Sequence, residues 1–382
     1  MITKNTVILD PWNGAGTTTL AGSSLNIKSI GIDLNPAMYV ISRAKLCSKS
    51  IIKSAIDSLS KLKTYSIQKI SIKEDDFLLY WFKPKAVQYI RNLENELIGK
   101  YFKSKLKISI NELNDLHCII YLSFFKTIKK NISKFTSTNP TWIKRNKLAS
   151  ELIELKQSEI LYNMINELSI YYNSITGIDS YNNKKNTDIQ LGSSTKLPIN
   201  NSSIDIILTS PPYCTRIDYG IATLPELAML SPFFNINCNN IRRKLMGRTT
   251  ISTKKYNLNE NVGYECTAFL ENVYNHNSRA SKTYYYKNLT QYFYELESSI
   301  SEISRVLKNH GFFICVVQDS YYKEIHCNLP KIVTEMAKNH SINIDKSFNF
   351  VNNHSFANIN IKSYKYRKKK STFEFILILK KE

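Results

Sequence analysis

Two prolines and a tyrosine directly follow an apolar segment near the middle of the chain, in the sequence Ser210-Pro211-Pro212-Tyr213. The segment Ile204 to Leu208 predicts a buried strand, which must end at the prolines because proline cannot donate to a β-ladder. A serine hydroxyl and proline carbonyls of fixed direction accept hydrogen bonds, and a tyrosine ring offers a flat stacking face. Together these residue types could hold the amino group of a planar base.

A second group of residues with potential chemistry lies near the N-terminus. The strand predicted at Val7 to Leu9 runs into Asp10-Pro11-Trp12-Asn13-Gly14-Ala15-Gly16, where two glycines allow a sharp turn and a close approach to a ligand. Thr17 and Thr18 then offer hydroxyl groups to cap a helix. The pattern predicts a strand, a glycine turn and a helix that leads into a second strand.

The second predicted strand, Ser29 to Ile32, ends at Asp33. Open α/β sheets bind ligands at the carboxyl ends of their strands, so Asp33 is placed to accept the hydroxyls of an adenosine ribose. Thr19 stands where a dinucleotide-binding turn has its third glycine, which favours S-adenosylmethionine (SAM) over a dinucleotide. Ser194, in a turn after a third predicted strand, is expected near the adenine. The residues expected to bind SAM are Asp10, Pro11, Trp12, Gly14, Gly16, Thr17, Thr18, Asp33, Leu34 and Ser194.

Taken together, the glycine turn, Asp33 and the segment Ser210-Pro211-Pro212-Tyr213 resemble the SAM-dependent DNA amino-methyltransferases. The resemblance covers roughly residues 7–49 and 188–381. It implies methyl transfer from SAM to an exocyclic nitrogen of adenine or cytosine, with residues 210–213 as the catalytic residues. Ser210 would accept one amine hydrogen through its hydroxyl and Pro211 the other through its carbonyl, while Tyr213 would stack on the extruded base.

The resemblance also bears on which base is methylated. Serine in the first position of the motif favours cytosine N4 within this family, whereas Asp or Asn mostly marks adenine N6 enzymes. Methylation of cytosine C5 is excluded, because none of the ten prolines precedes the cysteine that C5 enzymes use. We therefore expect site-specific DNA methylation within restriction–modification or a related defence system. Three alternatives stay open: an adenine-N6 enzyme, an RNA guanine-N2 methyltransferase, and a catalytically silent SAM-binding subunit that recognises DNA.

The chain is strongly basic, with 52 Lys and Arg against 31 Asp and Glu and a formal net charge of +21. Such an excess attracts polyanions, and nucleic acid is the usual one, although a compositional bias toward Lys, Asn and Ile gives the same balance. The segment Asn239 to Lys255 is interpreted as a mobile loop that follows a DNA backbone, with a solvated charged face as the alternative. The residues expected to face DNA include Arg216, Arg242, Arg243, Lys244 and Arg248.

These elements predict an α/β, Rossmann-like SAM-methyltransferase fold with a mixed seven-stranded sheet and a helical insertion. We divide the chain into a SAM-binding first half of the domain at residues 1–69, a helical insertion at 70–187 and a catalytic second half at 188–382. The insertion could recognise the target or dock a partner. Because the chain starts almost at the SAM turn, we expect the insertion or a second protein subunit to complete the cofactor pocket.

The remaining composition argues for a cytoplasmic protein. The seven cysteines and six histidines are dispersed without a C-x-x-C pair, so no metal site is expected and a reducing compartment is favoured. No apolar segment approaches the roughly 20 residues of a membrane-spanning helix. The N-terminal residues lack the layout of a signal peptide. We therefore expect no membrane partner.

Overall fold

The fold is built on strands whose carboxyl ends carry the residues described above. The computed structural model describes residues 2–62, 70–102, 108–137, 139, 141–146, 148–175, 185–214, 217–352 and 372–382. The strands within these residues are β1 (Val7–Asp10), β2 (Lys28–Asp33), β3 (Thr187–Leu191), β4 (Ile204–Thr209), β5 (Leu307–Gln318), β6 (Ser320–Tyr322), β7 (Ile325–Cys327), β8 (Ile342–Asn352) and β9 (Thr372–Lys381).

Seven of these strands form one mixed sheet in the order β3-β2-β1-β4-β5-β9-β8, and β6 and β7 form a separate hairpin. The strands from β3 to β5 in that order run parallel, whereas β9 is antiparallel to both β5 and β8. This topology confirms the predicted Rossmann-like mixed sheet. Because β1, β2 and β4 are parallel neighbours, their last residues Asp10, Asp33 and Thr209 lie at one edge of the sheet.

Helices cover the sheet and fill the interval between β2 and β3. Those in the described part of the chain are α1 (Thr17–Ser24), α2 (Pro36–Lys45), α3 (Lys49–Ser60), α4 (Pro84–Leu97), α5 (Asp115–Asn131), α6 (Gln157–Ser174), α7 (Tyr219–Ala222), α8 (Leu224–Phe234), α9 (Cys238–Lys244), α10 (Tyr264–Asn275), α11 (Tyr286–Val306) and α12 (Leu329–Lys338). A π-helical turn, Ser281–Tyr285, directly precedes α11. No helix among the described residues is long and apolar enough to cross a bilayer.

The junction between α11 and β5 differs from the sequence prediction. The apolar spacing predicts a helix through Leu307, with Gly311 as its stop and a strand from Phe312. Instead α11 ends one residue before Leu307, which already begins β5. Leu307 pairs with Ile204 but Phe312 pairs with Ile206, so β5 contains a bulge that helical periodicity cannot foresee. Gly311 lies in this bulge, where a Cβ would be 2.9 Å from a backbone oxygen.

Two hydrophobic clusters hold the helices together. The first joins α2 and α3 to the helices α4, α5 and α6, and its largest buried side chains include Trp81 and Phe124. The second packs α10, α11 and α12 against the central strands through residues such as Phe293 and Phe313. The helices between β2 and β3 therefore share one continuous core, and Ile189 and Leu191 of β3 pack against it. The domain boundaries at 69/70 and 187/188 stay a prediction.

A buried arginine ties this helical layer to the second half of the chain. Arg91 of α4 is 6% exposed, and its guanidinium binds Asp76 at two points, 2.8 and 3.0 Å, and Glu94 at 2.8 Å. It also donates to the carbonyl oxygens of Ala228 and Met229 in α8, at 2.9 and 2.7 Å. Removing one member of such a buried network leaves a charge without a counter-ion, which is strongly destabilising.

We expect Arg91→Met to lower the free energy of unfolding by about 3–5 kcal/mol, because it leaves the carboxylates of Asp76 and Glu94 uncompensated. The matched control is Lys83→Met, which breaks an exposed pair with Glu154 and should leave the free energy of unfolding nearly unchanged. Urea unfolding followed by circular dichroism measures both variants. Equal losses would contradict the anchoring role of Arg91.

Candidate active site

A cavity of ≈ 300 Å³ lies at the carboxyl ends of the parallel strands. Residues that follow β1, β2, β3 and β4 all contribute to its lining. The sequence-predicted residues in the lining are Pro11, Trp12, Gly14, Asp33, Leu34, Ser194, Ser210 and Pro212. The acid at the end of β2 and the serine that opens the proline turn therefore share one cavity.

Asp10 and Thr18 lie outside the lining and connect the glycine turn to β4. The carboxylate of Asp10 is buried and accepts hydrogen bonds from the Thr209 hydroxyl at 2.6 Å and the Trp12 amide at 3.1 Å. Burial raises the pKa of Asp10, although these hydrogen bonds act in the opposite direction. The Thr18 hydroxyl donates to the Leu208 carbonyl at 3.4 Å. These contacts fix the turn after β1 against the strand that leads to the prolines.

The start of α1 differs from the prediction that threonine hydroxyls cap it. Gly16 occupies the N-cap position with a φ of 80° and without a side-chain cap, and Thr17 is the first helical residue and is exposed. Glycine suits this position for a second reason, because a Cβ there would lie 2.7 Å from the Cβ of Ser42. Gly16 and Thr17 thus shape the turn from outside the cavity lining.

The Asp33 carboxylate is held beneath the glycine turn. It accepts hydrogen bonds from the backbone amides of Gly14 and Asn35, each at 2.8 Å. Although the residue is only half-buried, desolvation of the carboxyl raises the pKa of Asp33 to about 6, and the nearby charge of Asp10 adds to this rise. The site therefore holds an acid that is costly to ionise without a ligand.

The proline turn begins at the end of β4. Ser210 is exposed, Pro211 is buried and Tyr213 is half-buried. The carbonyl of Pro212 accepts a hydrogen bond from the Tyr292 hydroxyl at 2.8 Å. Pro211 and Tyr213 lie outside the cavity lining but adjoin Ser210 and Pro212, which belong to it. The turn thus presents a hydroxyl to the cavity on a backbone that α11 supports.

Several lining residues were not predicted from the sequence: Asn35, Met38, Tyr219, Thr223, Leu245, Met246 and Glu295. Asn35 caps α2 by accepting the Ala37 amide, and its side chain donates to the Thr223 hydroxyl at 2.8 Å. An Asn-Pro pair directly after the Asp33 strand end was the available signal for this residue. Glu295 could have been found as an acid within the apolar stretch of α11.

Two of the arginines expected to face DNA form internal ion pairs instead. Arg242 donates to Asp218 at 2.8 and 3.0 Å. Arg248 is 4% exposed and makes a two-point contact with Glu295 at 2.7 and 2.9 Å. The predicted DNA contact by Arg248 is therefore wrong in this arrangement, because its guanidinium is buried and paired.

The remaining predicted cations have different environments. Arg243 and Lys244 are exposed at the end of α9, and Lys244 also lines the cavity. The first part of the segment predicted as a mobile loop is thus the helix Cys238–Lys244. Arg216 lies outside the described residues. In the described part of the chain, no cluster of three or more His, Cys, Asp or Glu residues could hold a metal ion.

The second half of the chain matches a known family. Residues 204–382, which include the proline turn, match the profile of the N6/N4-type DNA methylase family. The chain is 24% identical over 372 residues to the type II methyltransferase M.MvaI of Kocuria varians, covering 89% of this chain and 76% of that protein. It is 25% identical over 304 residues to the type II methyltransferase M.BsoBI of Geobacillus stearothermophilus, covering 72% of this chain and 56% of that protein.

Among solved structures, a SAM-dependent methyltransferase from Methanosarcina mazei aligns with 100% of this chain and 94% of its own, at 10% identity and a TM-score of 0.31. The YcgJ protein of Bacillus subtilis aligns with 99% of this chain and 93% of its own, at 9% identity and a TM-score of 0.33. Both likenesses are weak, so the fold described above rests on the strand order of the chain itself.

The raised pKa of Asp33 predicts a stability that depends on pH. Since the folded-state value of about 6 exceeds the usual 3.8, the contribution of Asp33 to folding is present below about pH 4 and is lost as the pH rises through about 6. Between about pH 4.5 and about pH 7.5, the free energy of unfolding should therefore fall more for the wild type than for Asp33→Asn.

Urea unfolding across this pH range tests the prediction. Asp57→Asn, which alters an exposed acid on α3, is the control and should keep the wild-type pH dependence. Parallel pH profiles for the wild type and Asp33→Asn would show that the carboxyl of Asp33 is not desolvated.

Proposed function

We propose that this chain, a SAM-dependent DNA methyltransferase of the N4/N6 type, methylates cytosine N4 at specific sites in DNA. The family match over residues 204–382 confirms the resemblance that the proline turn indicates, and SAM is the methyl donor. The choice of cytosine is the finer proposal, and it rests on Ser210 as the first residue of the motif. One observation carries the whole proposal: Asp33 and Ser210 line the same cavity.

The residues around Asp33 fit an adenosine ligand. A carboxylate has about four acceptor positions, so Asp33 can bind ribose hydroxyls while it keeps the amides of Gly14 and Asn35. Gly14, with a φ of 49°, brings backbone close to the cavity without a side chain. Ser194, whose hydroxyl lies 2.9 Å from that of Ser299, is proposed to contact the adenine. When bound, SAM supplies a methyl group on a positively charged sulfur.

The proline turn is proposed to activate the target amine. The lone pair of an exocyclic amine is delocalised into the ring, which makes the nitrogen a poor nucleophile. The Ser210 hydroxyl and the Pro211 carbonyl can each accept one N–H hydrogen, which favours a pyramidal nitrogen with an available lone pair. Tyr213 would stack on the extruded base, and the prolines would keep the acceptors preorganised. No covalent intermediate with the protein is required.

Lys244 is the cation that we propose holds the DNA backbone at the mouth of the cavity. It is exposed and also lines the cavity that contains Ser210, so a flipped nucleotide would bring its phosphates within reach. Arg243 is its exposed neighbour on α9. In contrast, we assign Arg242 and Arg248 a structural role instead of a contact with DNA, because their guanidinium groups are paired with Asp218 and Glu295.

The contacts of the helical insertion support the alternative in which the insertion, and not a second subunit, completes the cofactor pocket. Met38 lines the cavity and lies on α2, which α5 covers. Arg43 of α2 is bound to Asp115 at 3.0 Å and to the Leu113 carbonyl at 2.6 Å. The insertion thus holds one wall of the cavity through α2. A partner that recognises the target sequence is compatible with this arrangement.

The proposed biological setting is restriction–modification or a related defence system. The two curated relatives are named type II methyltransferases, and the chain matches both over most of its own length. A cytoplasmic location belongs to the same proposal, because the substrate would be the cell's own DNA. The seven cysteines, all buried and none in a disulfide, suit a reducing compartment.

Expression of the chain in a methylation-deficient bacterial host, followed by mass spectrometry of nucleosides, tests the proposed reaction. We expect N4-methyldeoxycytidine in the DNA of that host. Ser210→Ala should lower its yield by about 10²- to 10³-fold, because one preorganised acceptor is lost. Ser24→Ala, at an exposed serine of α1, is the matched control and should leave the yield unchanged.

Other products decide between the alternatives. N6-methyldeoxyadenosine in place of the cytosine product would make the chain an adenine enzyme. N2-methylguanosine in RNA would indicate an RNA methyltransferase. SAM binding without any methylated product, even with its genomic neighbours present, would indicate a silent subunit.

Lys244→Met should weaken DNA binding and lower the slope of log K against log salt concentration by about 1, the effect of one lost phosphate contact. Fluorescence anisotropy with a labelled duplex of random sequence at several salt concentrations measures both quantities. The control is Lys53→Met, which removes an exposed lysine on α3. An unchanged slope for Lys244→Met would exclude the phosphate contact.

A further inference from the structure

We propose that Tyr292 is a positioning residue for methyl transfer, and that helix α11 fixes the proline turn relative to the neighbouring segment Lys244–Ser252, part of which lines the cavity. This inference rests on the proposed function, since it assigns the turn to the reaction. It concerns the residues behind the turn, none of which carries a motif in the sequence. Three sets of contacts lead to it.

The first contact is between Tyr292 and the turn itself. Tyr292 is 2% exposed and lies within the 21-residue helix α11. Its hydroxyl donates to the carbonyl of Pro212 at 2.8 Å. The proline rings fix φ at both proline positions, so the main freedom left to the turn is rotation of its peptide planes. A hydrogen bond to the Pro212 carbonyl fixes the plane that joins Pro212 to Tyr213, between the proposed acceptors and the proposed stacking ring.

The second set of contacts holds a segment that we call the strap, Lys244–Ser252, against the same helix. The side chains involved recur at intervals of four, three and four residues, which places them along one side of the π-turn and α11. The Tyr284 hydroxyl donates to the Thr249 carbonyl at 2.7 Å, and the Asn288 side-chain amide donates to the Arg248 carbonyl at 2.8 Å. The Gln291 side-chain oxygen accepts from the Ser252 amide at 3.0 Å. Glu295 forms the ion pair with the Arg248 guanidinium.

The third contact joins the strap to the turn. Gly247 of the strap has a φ of 77°, and a Cβ at this position would lie 3.1 Å from the Tyr213 carbonyl oxygen. On the other side, Asp218 accepts the amide and the hydroxyl of Thr249, at 3.0 and 2.7 Å. Leu245 of the strap lines the cavity. The strap is thus both a wall of the cavity and a backing for the turn.

These contacts indicate that α11 determines the position of the proline turn. One rigid helix binds the Pro212 carbonyl through Tyr292 and, one turn further on, the strap through Glu295. The position of the turn relative to the strap is therefore set by the spacing of residues on a single helix. Displacement of a reacting group by about 1 Å lowers the reaction rate about 10²-fold. A small rotation of the turn would therefore measurably lower the rate of methyl transfer.

Tyr292→Phe tests the inference, because it removes only the hydroxyl that binds Pro212. The readouts are the single-turnover rate of transfer from tritiated SAM to unmethylated genomic DNA, the Kd for SAM and the melting temperature. We expect the rate to fall about 10- to 100-fold while the Kd for SAM stays within about twofold. The matched control is Tyr121→Phe, which deletes another buried hydroxyl, bonded to Glu94 at 2.9 Å in the helical layer. It should lower the melting temperature at least as much without changing the rate.

A second variant tests the strap. Arg248→Lys keeps a positive charge for Glu295 but loses the two-point contact and the bond to the Leu245 carbonyl at 2.9 Å. It should lower the rate about 3- to 10-fold with the Kd for SAM unchanged. If Tyr292→Phe does not fold, the rate of Arg248→Lys decides.

The outcomes separate this inference from the proposed function. An active wild type together with a Tyr292→Phe rate within twofold of it would overturn the inference alone. A loss of rate matched by a loss of SAM binding would also overturn it, because Tyr292 would then be a general structural residue. A wild type that methylates neither DNA nor RNA would overturn the proposed function and this inference with it.

Discussion

The parallel alignment of β1, β2 and β4 is the constraint on which the cavity depends. Leu9 in β1 pairs with Ile30 on one side and with Ile207 on the other, so the three strands end together. This alignment brings Asp33 and Ser210 to one cavity although they are far apart in the chain. The hydrogen bond from Thr209 to Asp10 then joins the ends of β1 and β4. The chemistry at this edge is therefore a consequence of sheet topology.

The same alignment places two acids close together at the edge of the sheet. Burial raises the pKa of both Asp10 and Asp33, and the charge of Asp10 contributes to the rise at Asp33. A ligand that brings a positive charge and hydroxyl donors would offset this cost, because both favour the ionised carboxylate. The electrostatics of the free protein thus suit the adenosine and sulfonium groups of the methyl donor. Beyond these acids, α11 and the strap support the turn and contribute Lys244, Leu245, Met246 and Glu295 to the cavity lining.

The elements and site residues that could be predicted from the sequence are those marked by patterns of neighbouring residues. The strand ends before the glycine turn and before Ser210 were found because that turn and two prolines interrupt apolar segments there, and Asp33 was found as the acid that ends the next apolar segment. Arg248 was misassigned because nothing near it in the sequence shows that Glu295, on a distant helix, would bury and pair it. Tyr292 was missed for the same reason, since its partner is a backbone carbonyl that only the tertiary fold brings close. Long-range polar contacts leave no periodic signal.

A crystal structure of the chain with S-adenosylhomocysteine would show whether Asp33 and Ser210 lie on either side of one bound cofactor. We expect the ribose hydroxyls to lie within about 3.2 Å of the Asp33 carboxylate and the sulfur to face Ser210 across the same cavity. A ribose bound away from Asp33, or a sulfur separated from Ser210 by packed side chains, would contradict it.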